Sequence, residues 1–209
     1  MSFIEKFVKQ CRNPSGLFGK FVARAMNVGH ARMRNWALGH ISIGSDAKIL
    51  DIGCGGGGTV KALAKHTPKG KVCGIDSSVD MVQLSMKVNK HLIKKGLVEI
   101  KLGSVSSLPF ADNIFDLATA FETYYFWPNL IDDLKEIRRV LKPGGTLLIA
   151  NEVYKDAKFE KRNTKWANLI DMQLHTPDEY KAFLKQAGYQ IVEIDVIAEK
   201  NWITAVVKK

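Results

Sequence analysis

The chain has few cysteines and no long hydrophobic run. Its three cysteines, Cys11, Cys54 and Cys73, are widely spaced and form no CxxC pair, which argues against a disulfide framework or a zinc site. No apolar stretch approaches the roughly 20 residues that a membrane-spanning helix needs. Glu5 and Lys6 interrupt the N-terminus before a signal-peptide core can form. The sequence therefore predicts a cytoplasmic protein with no membrane span and no metal.

Acidic residues are the minority among the charged ones. The chain has 31 Lys and Arg against 21 Asp and Glu, which gives a net charge of +10. Such an excess is compatible with a nucleic acid, an acidic lipid surface, an anionic substrate or simply a solvated lysine-rich surface. Because the basic residues are dispersed rather than gathered with aromatic residues, a solvated surface is favoured and nucleic acid is the less favoured partner.

Strand and helix patterns alternate from Lys48 onward. Short β-rich runs are predicted at 48–52, 71–76, 98–102, 115–121 and 146–151. Helical patterns are predicted at 60–66, 79–95 and 130–141. This alternation is typical of a parallel sheet with helices on both faces.

The C-terminal part of the chain has a different pattern. A helix that opens at Thr176 and Pro177 is followed by two β-rich runs, 190–197 and 201–207. The break between these runs is too short for a crossover helix, so they must form an antiparallel hairpin. We therefore predict an α/β, Rossmann-like sheet of seven strands, mostly parallel, that ends in an antiparallel hairpin.

Two segments lie outside the alternation. Residues 1–46 contain helical patterns at 3–10 and 18–38, and we predict an N-terminal helical appendage that acts as a lid over the ligand-binding edge of the sheet. Residues 152–175 are irregular, and we predict a small insertion on the substrate side. The remainder, 47–209, is predicted to be one ligand-binding domain.

A glycine-rich turn follows the first predicted strand. Gly53 and Gly55 allow the backbone to lie against a ligand, and the helix start that follows favours a carboxylate or phosphate. The turn alone is ambiguous, because Gly53, Gly55 and Gly58 also satisfy the GxGxxG dinucleotide pattern. Asp51 can help to hold the turn and a ligand ammonium group. Asp76, at the end of the second predicted strand, can accept both hydroxyls of a ribose.

These residues belong to two ordered motifs, DxGxGxG beginning at Asp51 and GxDxSxxM ending at Met81. The pair resembles the class I S-adenosylmethionine-dependent methyltransferases. The resemblance continues through Leu108-Pro-Phe110, the segment from Arg139 to Gly145 and the terminal hairpin, so it covers 48–209. Within that superfamily the chain is most similar to the small-molecule branch, type 11, that includes the ubiquinone and menaquinone C-methyltransferases.

The resemblance implies S-adenosylmethionine as the cofactor. In the family's arrangement Asp76 would bind the ribose, Met81 would pack on the adenine and Phe121 would lie beside the sulfonium. Many members have Gly-Asp-Ala after the third strand, whereas this chain has Ser104 in place of the Asp, which implies a weaker or water-bridged adenine contact. The full set of implied cofactor residues is Asp51, Gly53, Cys54, Gly55, Asp76, Ser77, Met81, Ser104, Val105 and Phe121.

The segment from Phe121 to Pro128 stands where this family binds acceptors. It lacks the Asn/Asp-Pro-Pro-Tyr/Phe motif of enzymes that methylate amino groups of DNA bases and glutamine, which argues against those substrates. Its aromatic side chains suit a planar or apolar small-molecule acceptor and a neighbouring sulfonium. The candidate catalytic groups are His30, Glu122 and Tyr125, with His30 or Glu122 as a base. Glu122 could instead neutralise the ammonium group of the methionine moiety.

The resemblance thus implies an enzyme that methylates a small molecule. Three alternatives stay open on the sequence: an RNA- or protein-directed methyltransferase, an NAD-dependent oxidoreductase that uses the GxGxxG glycines, and a non-catalytic cofactor-binding subunit. The oxidoreductase would need a further substrate domain, for which the chain has little room. The sequence indicates neither the acceptor nor the oligomeric state.

Overall fold

A seven-stranded sheet forms the centre of the protein in the computed structural model, which describes residue 10, residue 12 and residues 14–209. The strands are β1 (Lys48–Ile52), β2 (Lys71–Asp76), β3 (Val98–Leu102), β4 (Phe115–Phe121), β5 (Leu141–Asn151), β6 (Ile191–Ile197) and β7 (Trp202–Lys208). Their order is β3-β2-β1-β4-β5-β7-β6. Strands β1 to β5 pair in parallel, and β7 pairs antiparallel with both β5 and β6. The predicted fold class, including the C-terminal hairpin, is confirmed.

Helices cover both faces of this sheet. They are α1 (Gly16–Gly29), α2 (Ala31–Leu38), α3 (Gly58–His66), α4 (Val79–Val88), α5 (Lys90–Lys94), α6 (Leu130–Val140), α7 (Glu160–Ile170) and α8 (Pro177–Gln186), with short 3-10 turns at Tyr124–Phe126 and Ala157–Phe159. Successive side chains of β1 enter opposite layers, since Ile49 packs with α2 and α3 while Leu50 packs with α6 and α8. Burial on both faces explains why the central strands are almost wholly apolar.

The strand order reverses between β1 and β4. Strands β2 and β3 lie on one side of β1, and β4 and β5 lie on the other. In parallel sheets a crevice opens at such a reversal, outside the carboxyl ends of the strands. The turns after β1, β2 and β4 all meet there.

Several element boundaries differ from the predictions. The helix predicted at 79–95 is divided at Asn89, whose buried amide donates to the carbonyl oxygens of Gly57 and Ser85, both at 3.0 Å. The fifth strand begins at Leu141 rather than at residue 146. The segment 152–175 contains α7, so the prediction that it is irregular was wrong.

The N-terminal appendage is helical where the structure describes it. The helix predicted at 18–38 is divided at His30, which caps the start of α2. The pattern predicted at 3–10 lies outside the described residues, apart from Gln10. The amide of Gly16 donates to Asp80 Oδ2 at 2.9 Å, and Lys20 pairs with Asp80 Oδ1 at 3.2 Å, so α1 is tied to α4.

Candidate active site

A cavity of about 890 Å³ opens at the carboxyl ends of β1, β2 and β4. Twelve of the thirteen predicted site residues line it: His30, Gly53, Cys54, Gly55, Asp76, Ser77, Met81, Ser104, Val105, Phe121, Glu122 and Tyr125. The thirteenth, Asp51, lies beneath it with 2% of its surface exposed. The volume is within the range of pockets that bind cofactors and small substrates.

The glycine turn presents its backbone to this cavity at Gly55. Gly53 and Gly55 have φ angles of 67° and 48°, in the left-handed region that favours glycine. A Cβ built on Gly53 would lie 2.5 Å from Oγ1 of Thr123, so Gly53 packs against the segment after β4. A Cβ on Gly55 would meet no atom within 4 Å. A side chain there would therefore project into the cavity itself.

The later glycines are covered by Asn27 of α1. A Cβ on Gly56 would lie 2.7 Å from Nδ2 of Asn27, and one on Gly58 would lie 2.8 Å from its Cγ. A dinucleotide approaches the backbone at the second glycine of GxGxxG, here Gly55, and places its pyrophosphate at the N-terminus of the following helix. Asn27, which the sequence analysis missed, packs against Gly58, where that helix, α3, begins.

Asp76 is held by backbone amides at the end of β2. It accepts from the N–H of Gly55 at 2.8 Å and from the N–H of Ser78 at 2.9 Å. Burial raises the pKa of Asp76, and these two amides oppose that shift. Each carboxylate oxygen still has lone pairs that can accept from the vicinal hydroxyls of a ribose.

Asp51, which is buried, lies near Arg34, which is half-buried and carries the opposite charge. Thr119 donates to Asp51 Oδ1 at 2.7 Å, while Asp51 Oδ2 has no hydrogen-bond partner among the described residues. Burial raises the pKa of Asp51 to about 7, and the guanidinium of Arg34 opposes the rise. Arg34 lines the cavity, its Nε is likewise without a partner in the described part of the chain, and burial lowers its pKa.

Asp51 and Arg34 each have an unpartnered buried polar atom, one on a negatively charged group and one on a positively charged group. This pair fits a zwitterionic amino acid group. Asp51 can accept from an ammonium group and Arg34 can donate to a carboxylate. The sequence analysis identified Asp51 through its motif. It missed Arg34, which lies outside the alternating pattern on α2 and carries no motif of its own.

Met81, in the helix after β2, and Ser104, in the loop after β3, also line the cavity. Met81 is almost fully buried and packs with Ala23 and Leu84. Oγ of Ser104 accepts from the N–H of Ser106 at 3.2 Å, a hydrogen bond within its own loop. At the position where many family members have a carboxylate, this chain therefore has a short hydroxyl side chain that is bonded within the loop.

Cys54 contributes backbone rather than a reactive thiol. Its N–H donates to the carbonyl of Ile75 at 2.8 Å, which anchors the turn to β2. The thiol is buried 3.8 Å from Oγ of Ser85, and burial raises its pKa well above the ordinary value. A thiol kept protonated in this way is inert as a nucleophile.

Glu122 stands at the other wall of the cavity in a left-handed conformation, with φ 57°. Such a backbone is uncommon for a residue with a side chain and occurs at functional sites. Its carboxylate accepts from the hydroxyl of Tyr125 at 2.7 Å and from the backbone N–H of Glu152. Burial raises the pKa of Glu122, against the opposing influence of His30.

His30 completes this group. Its Nδ1 lies 3.3 Å from Oε2 of Glu152. Burial alone would lower the pKa of His30, but the contact with Glu152 and the charge of Glu122 outweigh it and raise the pKa. The cavity thus brings together all three predicted catalytic residues and adds Glu152, which the sequence analysis missed.

Aromatic side chains form another part of the cavity wall. Tyr125, Phe126 and Trp127 line the cavity, and Trp166 of α7 joins them. Tyr124 does not: its ring stacks on Tyr180 with centroids 4.3 Å apart. Part of the predicted aromatic cluster is therefore core packing.

Within residues 14–209 we find no helix both long and apolar enough to cross a bilayer. Nor does that part of the chain contain a cluster of His, Cys, Asp and Glu side chains that could hold a metal ion.

Comparison with known proteins gives the same class as the fold and the site. The sequence profile of a family described as a methyltransferase domain matches residues 43–193. A demethylmenaquinone methyltransferase of Staphylococcus haemolyticus is 31% identical over 178 residues, which cover 74% of this chain and 72% of that protein. The fold and the cavity define a class I, S-adenosylmethionine-dependent methyltransferase. The chain belongs to this methyltransferase domain family.

Other matches are more distant or longer. A sterol 24-C-methyltransferase of Neurospora crassa is 28% identical over 181 residues, 82% of this chain but 47% of that protein. The chain thus spans about half of that relative's length. The solved structure of a phosphoethanolamine N-methyltransferase of Haemonchus contortus with S-adenosyl-L-methionine superposes with a TM-score of 0.82 at 16% identity, over 100% of this chain and 60% of the other. At that identity the likeness shows the fold.

Proposed function

We propose that this chain transfers a methyl group from S-adenosylmethionine to a small-molecule acceptor. The observation that carries the proposal is the pair Asp51 and Arg34, each with a buried, unpartnered polar atom, at the cavity that Arg34 and Gly55 both line. That pair matches the amino acid end of the cofactor. Asp76, which accepts from the N–H of Gly55, matches its ribose.

The proposed cofactor contacts follow from this arrangement. S-adenosylmethionine, when bound, supplies a methyl group on a positively charged sulfur that leaves as a neutral thioether. Asp51 would hold the ammonium group, Arg34 the carboxylate and Asp76 the ribose hydroxyls. The backbone of Gly53, Cys54 and Gly55 would lie along the methionine moiety. Ser77, Met81, Ser104 and Val105 would enclose the adenine, and Phe121 would lie beside the sulfur.

The position of Asn27 favours this cofactor over NAD. A dinucleotide needs room for its pyrophosphate at the N-terminus of the helix after the turn, and Asn27 packs against Gly58 at the start of α3. S-adenosylmethionine has no phosphate and needs only the part of the turn that includes Gly55.

The aromatic wall is proposed to hold a planar or apolar acceptor. Phe126 and Trp166, with the mostly buried Tyr125 and Trp127, line this wall, and the names of the quinone and sterol methyltransferases among the relatives support an acceptor of that kind. Methyl transfer is an in-line displacement, so alignment of two reactants with water excluded supplies most of the rate, up to about 7–11 kcal/mol. No catalytic triad is required.

For an acceptor that loses a proton, we propose His30 as the base. Glu152 lies against its Nδ1, and Glu122 lies close enough to stabilise an imidazolium. Tyr125 holds Glu122 in place through its hydroxyl. His30 would receive the acceptor's proton at the ring nitrogen that does not face Glu152.

Residues 1–46 are proposed to act as a lid. Within that segment Met26, Asn27, His30 and Arg34 line the cavity, and Asp80 anchors α1 over it. Residues 47–209 would form the cofactor-binding domain, with 152–175 as an insertion that supplies Glu152 and Trp166 to the acceptor side. Removal of residues 1–28 should leave a folded chain that keeps measurable cofactor affinity but loses turnover. Undiminished turnover would contradict the lid.

The test of the proposed function follows the methyl group. The chain is incubated with methyl-labelled S-adenosylmethionine and a cell extract, which is then separated into small molecules, RNA and protein. We expect label in the small-molecule fraction, in organic-soluble compounds, and none with Gly55→Val. Label in tRNA or protein would support the macromolecule-directed alternatives and contradict the proposal. The proposed cytoplasmic location can be tested with a tagged chain.

A further inference from the structure

An exposed apolar stripe runs along α1 at the edge of the cavity. Phe21 and Val28 are 64% and 78% exposed. They lie four and three residues from Ala25, so the three share one helix face. Ala25 lines the cavity, which means that this α1 stripe, Phe21, Ala25 and Val28, continues outward from the cavity wall.

Helix α7 extends the same surface. Trp166 lines the cavity and is also 39% exposed. Arg12, just before α1 in the chain, donates to the carbonyl of Ile170 at 3.1 Å and to Asp171 at 3.0 Å. The segment just before α1 therefore lies against the C-terminal end of α7. Ala25 of the α1 stripe and Trp166 line the same cavity.

Positive charge predominates on the helices that carry this apolar surface. Residues 16–38 contain Lys20, Arg24, Arg32 and Arg34 but no Asp or Glu. Lys20 pairs with Asp80 and Arg34 faces the cavity, whereas Arg24 and Arg32 are exposed and form no ion pair with any described residue. On α7, Lys161 and Lys165 are exposed one turn apart, against one exposed acidic residue, Glu160.

We propose that this surface docks the chain onto a membrane that contains anionic lipids. Phe21, Val28 and the indole of Trp166 would enter the boundary between headgroups and acyl chains, with the basic side chains on the lipid phosphates. The cavity mouth would then face the bilayer. If the proposed function also holds, an apolar acceptor could pass from the lipid to the aromatic wall without crossing water.

Charge decides between this partner and the others. A second copy of the chain would bring two basic surfaces together, each on a molecule of net charge +10. A nucleic acid would neutralise the arginines and could stack bases on Phe21 and Trp166, but it has no apolar layer for the aliphatic side chain of Val28. An anionic bilayer matches both the charge and the apolar side chains.

The test measures co-sedimentation of the full chain with vesicles, without cofactor or acceptor. Phosphatidylcholine vesicles are compared with vesicles that also contain phosphatidylglycerol. We expect binding to the anionic vesicles, weakened by added salt. Phe21→Ser with Val28→Ser, and separately Arg24→Gln with Arg32→Gln, should each lower the partition coefficient about tenfold or more.

Matched controls separate this surface from general charge and hydrophobicity. Met86 and Leu102 are 46% and 55% exposed and do not line the cavity. Met86→Ser with Leu102→Ser should leave vesicle binding unchanged, as should Lys87→Gln with Lys90→Gln. Circular dichroism melts verify that each variant is folded.

Several results would overturn the docking proposal. The proposal is contradicted if the control variants lose as much vesicle binding as the surface variants, or if the full chain does not bind anionic vesicles. It is also contradicted if the chain dimerises with concentration and the Phe21 and Val28 variant does not, or if the chain prefers tRNA to vesicles. Binding that appears only after removal of residues 1–9 would show that those residues cover the α1 stripe, and would also overturn it. Because no methyl transfer is measured, these results leave the proposed function untouched.

Discussion

The buried carboxylate of Asp51 makes cofactor affinity sensitive to pH. Burial raises the pKa of Asp51 to about 7 in the free protein, so near neutral pH the carboxyl is only partly ionised. An ammonium group beside its unpartnered Oδ2 would pull that pKa well down, because it favours the charged form. Binding must therefore expel a proton wherever Asp51 is protonated beforehand.

The size of the effect follows from the ionised fraction. With a pKa of about 7, about nine-tenths of Asp51 is ionised at about pH 8 and about one-tenth at about pH 6, so affinity should fall about tenfold over that interval. S-adenosylhomocysteine is the suitable probe, since it has the ammonium group but no sulfonium charge. Calorimetry at several pH values in buffers of different ionisation enthalpy measures both affinity and proton release.

Asp51→Asn is the matched variant. Thr119 can still donate to the amide oxygen, so the fold should persist. Affinity at about pH 8 should fall by about 1.5–3 kcal/mol with loss of a charged hydrogen bond. The pH dependence between about 6 and 8 should also flatten, which separates Asp51 from His30. A pH dependence that survives unchanged in Asp51→Asn would refute the assignment.

The same residue predicts a stability effect of opposite sign to the usual one for a carboxylate. The folded pKa of about 7 lies above the ordinary value of 3.8, so wild-type stability falls as pH rises through this interval and stays low above it. Asp51→Asn should therefore melt higher than wild type at about pH 8, with the difference vanishing near about pH 4. A lower melting temperature at about pH 8 would contradict the burial of a charge here.

Three further predictions concern the cavity. Asp76→Ala should weaken S-adenosylhomocysteine binding by about 1.5–3 kcal/mol in calorimetry, and unchanged affinity would remove Asp76 from the ribose site. Gly55→Ala and Gly144→Ala both place a Cβ at positive φ, where no other atom lies within 4 Å. Both variants should therefore be destabilised by a similar amount, but only Gly55→Ala should also abolish cofactor binding. With an acceptor that loses a proton, turnover should rise with pH through the raised pKa of His30, and Glu122→Gln should move that rise to lower pH; a profile unmoved by Glu122→Gln would exclude the coupling.

Local patterns were sufficient for the core of the fold. The apolar runs of β1 and β2, the glycine turn and Asp76 all lie within one strand–turn–helix–strand unit, where neighbouring residues decide the geometry. The motif also predicted that Gly55 would face a ligand. Strand β5 started earlier than predicted because Leu141 already pairs with Phe115 of β4, ahead of an irregularity in the register before Thr146.

The residues that the sequence analysis missed come from distant segments. Arg34 and Asn27 belong to the N-terminal helices and Glu152 to the insertion, and none of them lies in a motif. Their positions depend on tertiary packing, such as the anchoring of α1 by Asp80. Helix α7 escaped prediction because polar residues occupy most of Glu160–Ile170 and its few apolar residues give a weak helical pattern.

The central claim is that the cavity is built for S-adenosylmethionine rather than for a dinucleotide. The most direct test titrates S-adenosylhomocysteine and NAD separately into the same preparation by calorimetry, with Gly55→Val as the control. We expect one molecule of S-adenosylhomocysteine bound per chain, NAD bound at least about 100-fold more weakly, a difference of about 2.7 kcal/mol, and neither bound by the variant. Tighter binding of NAD than of S-adenosylhomocysteine would contradict the account.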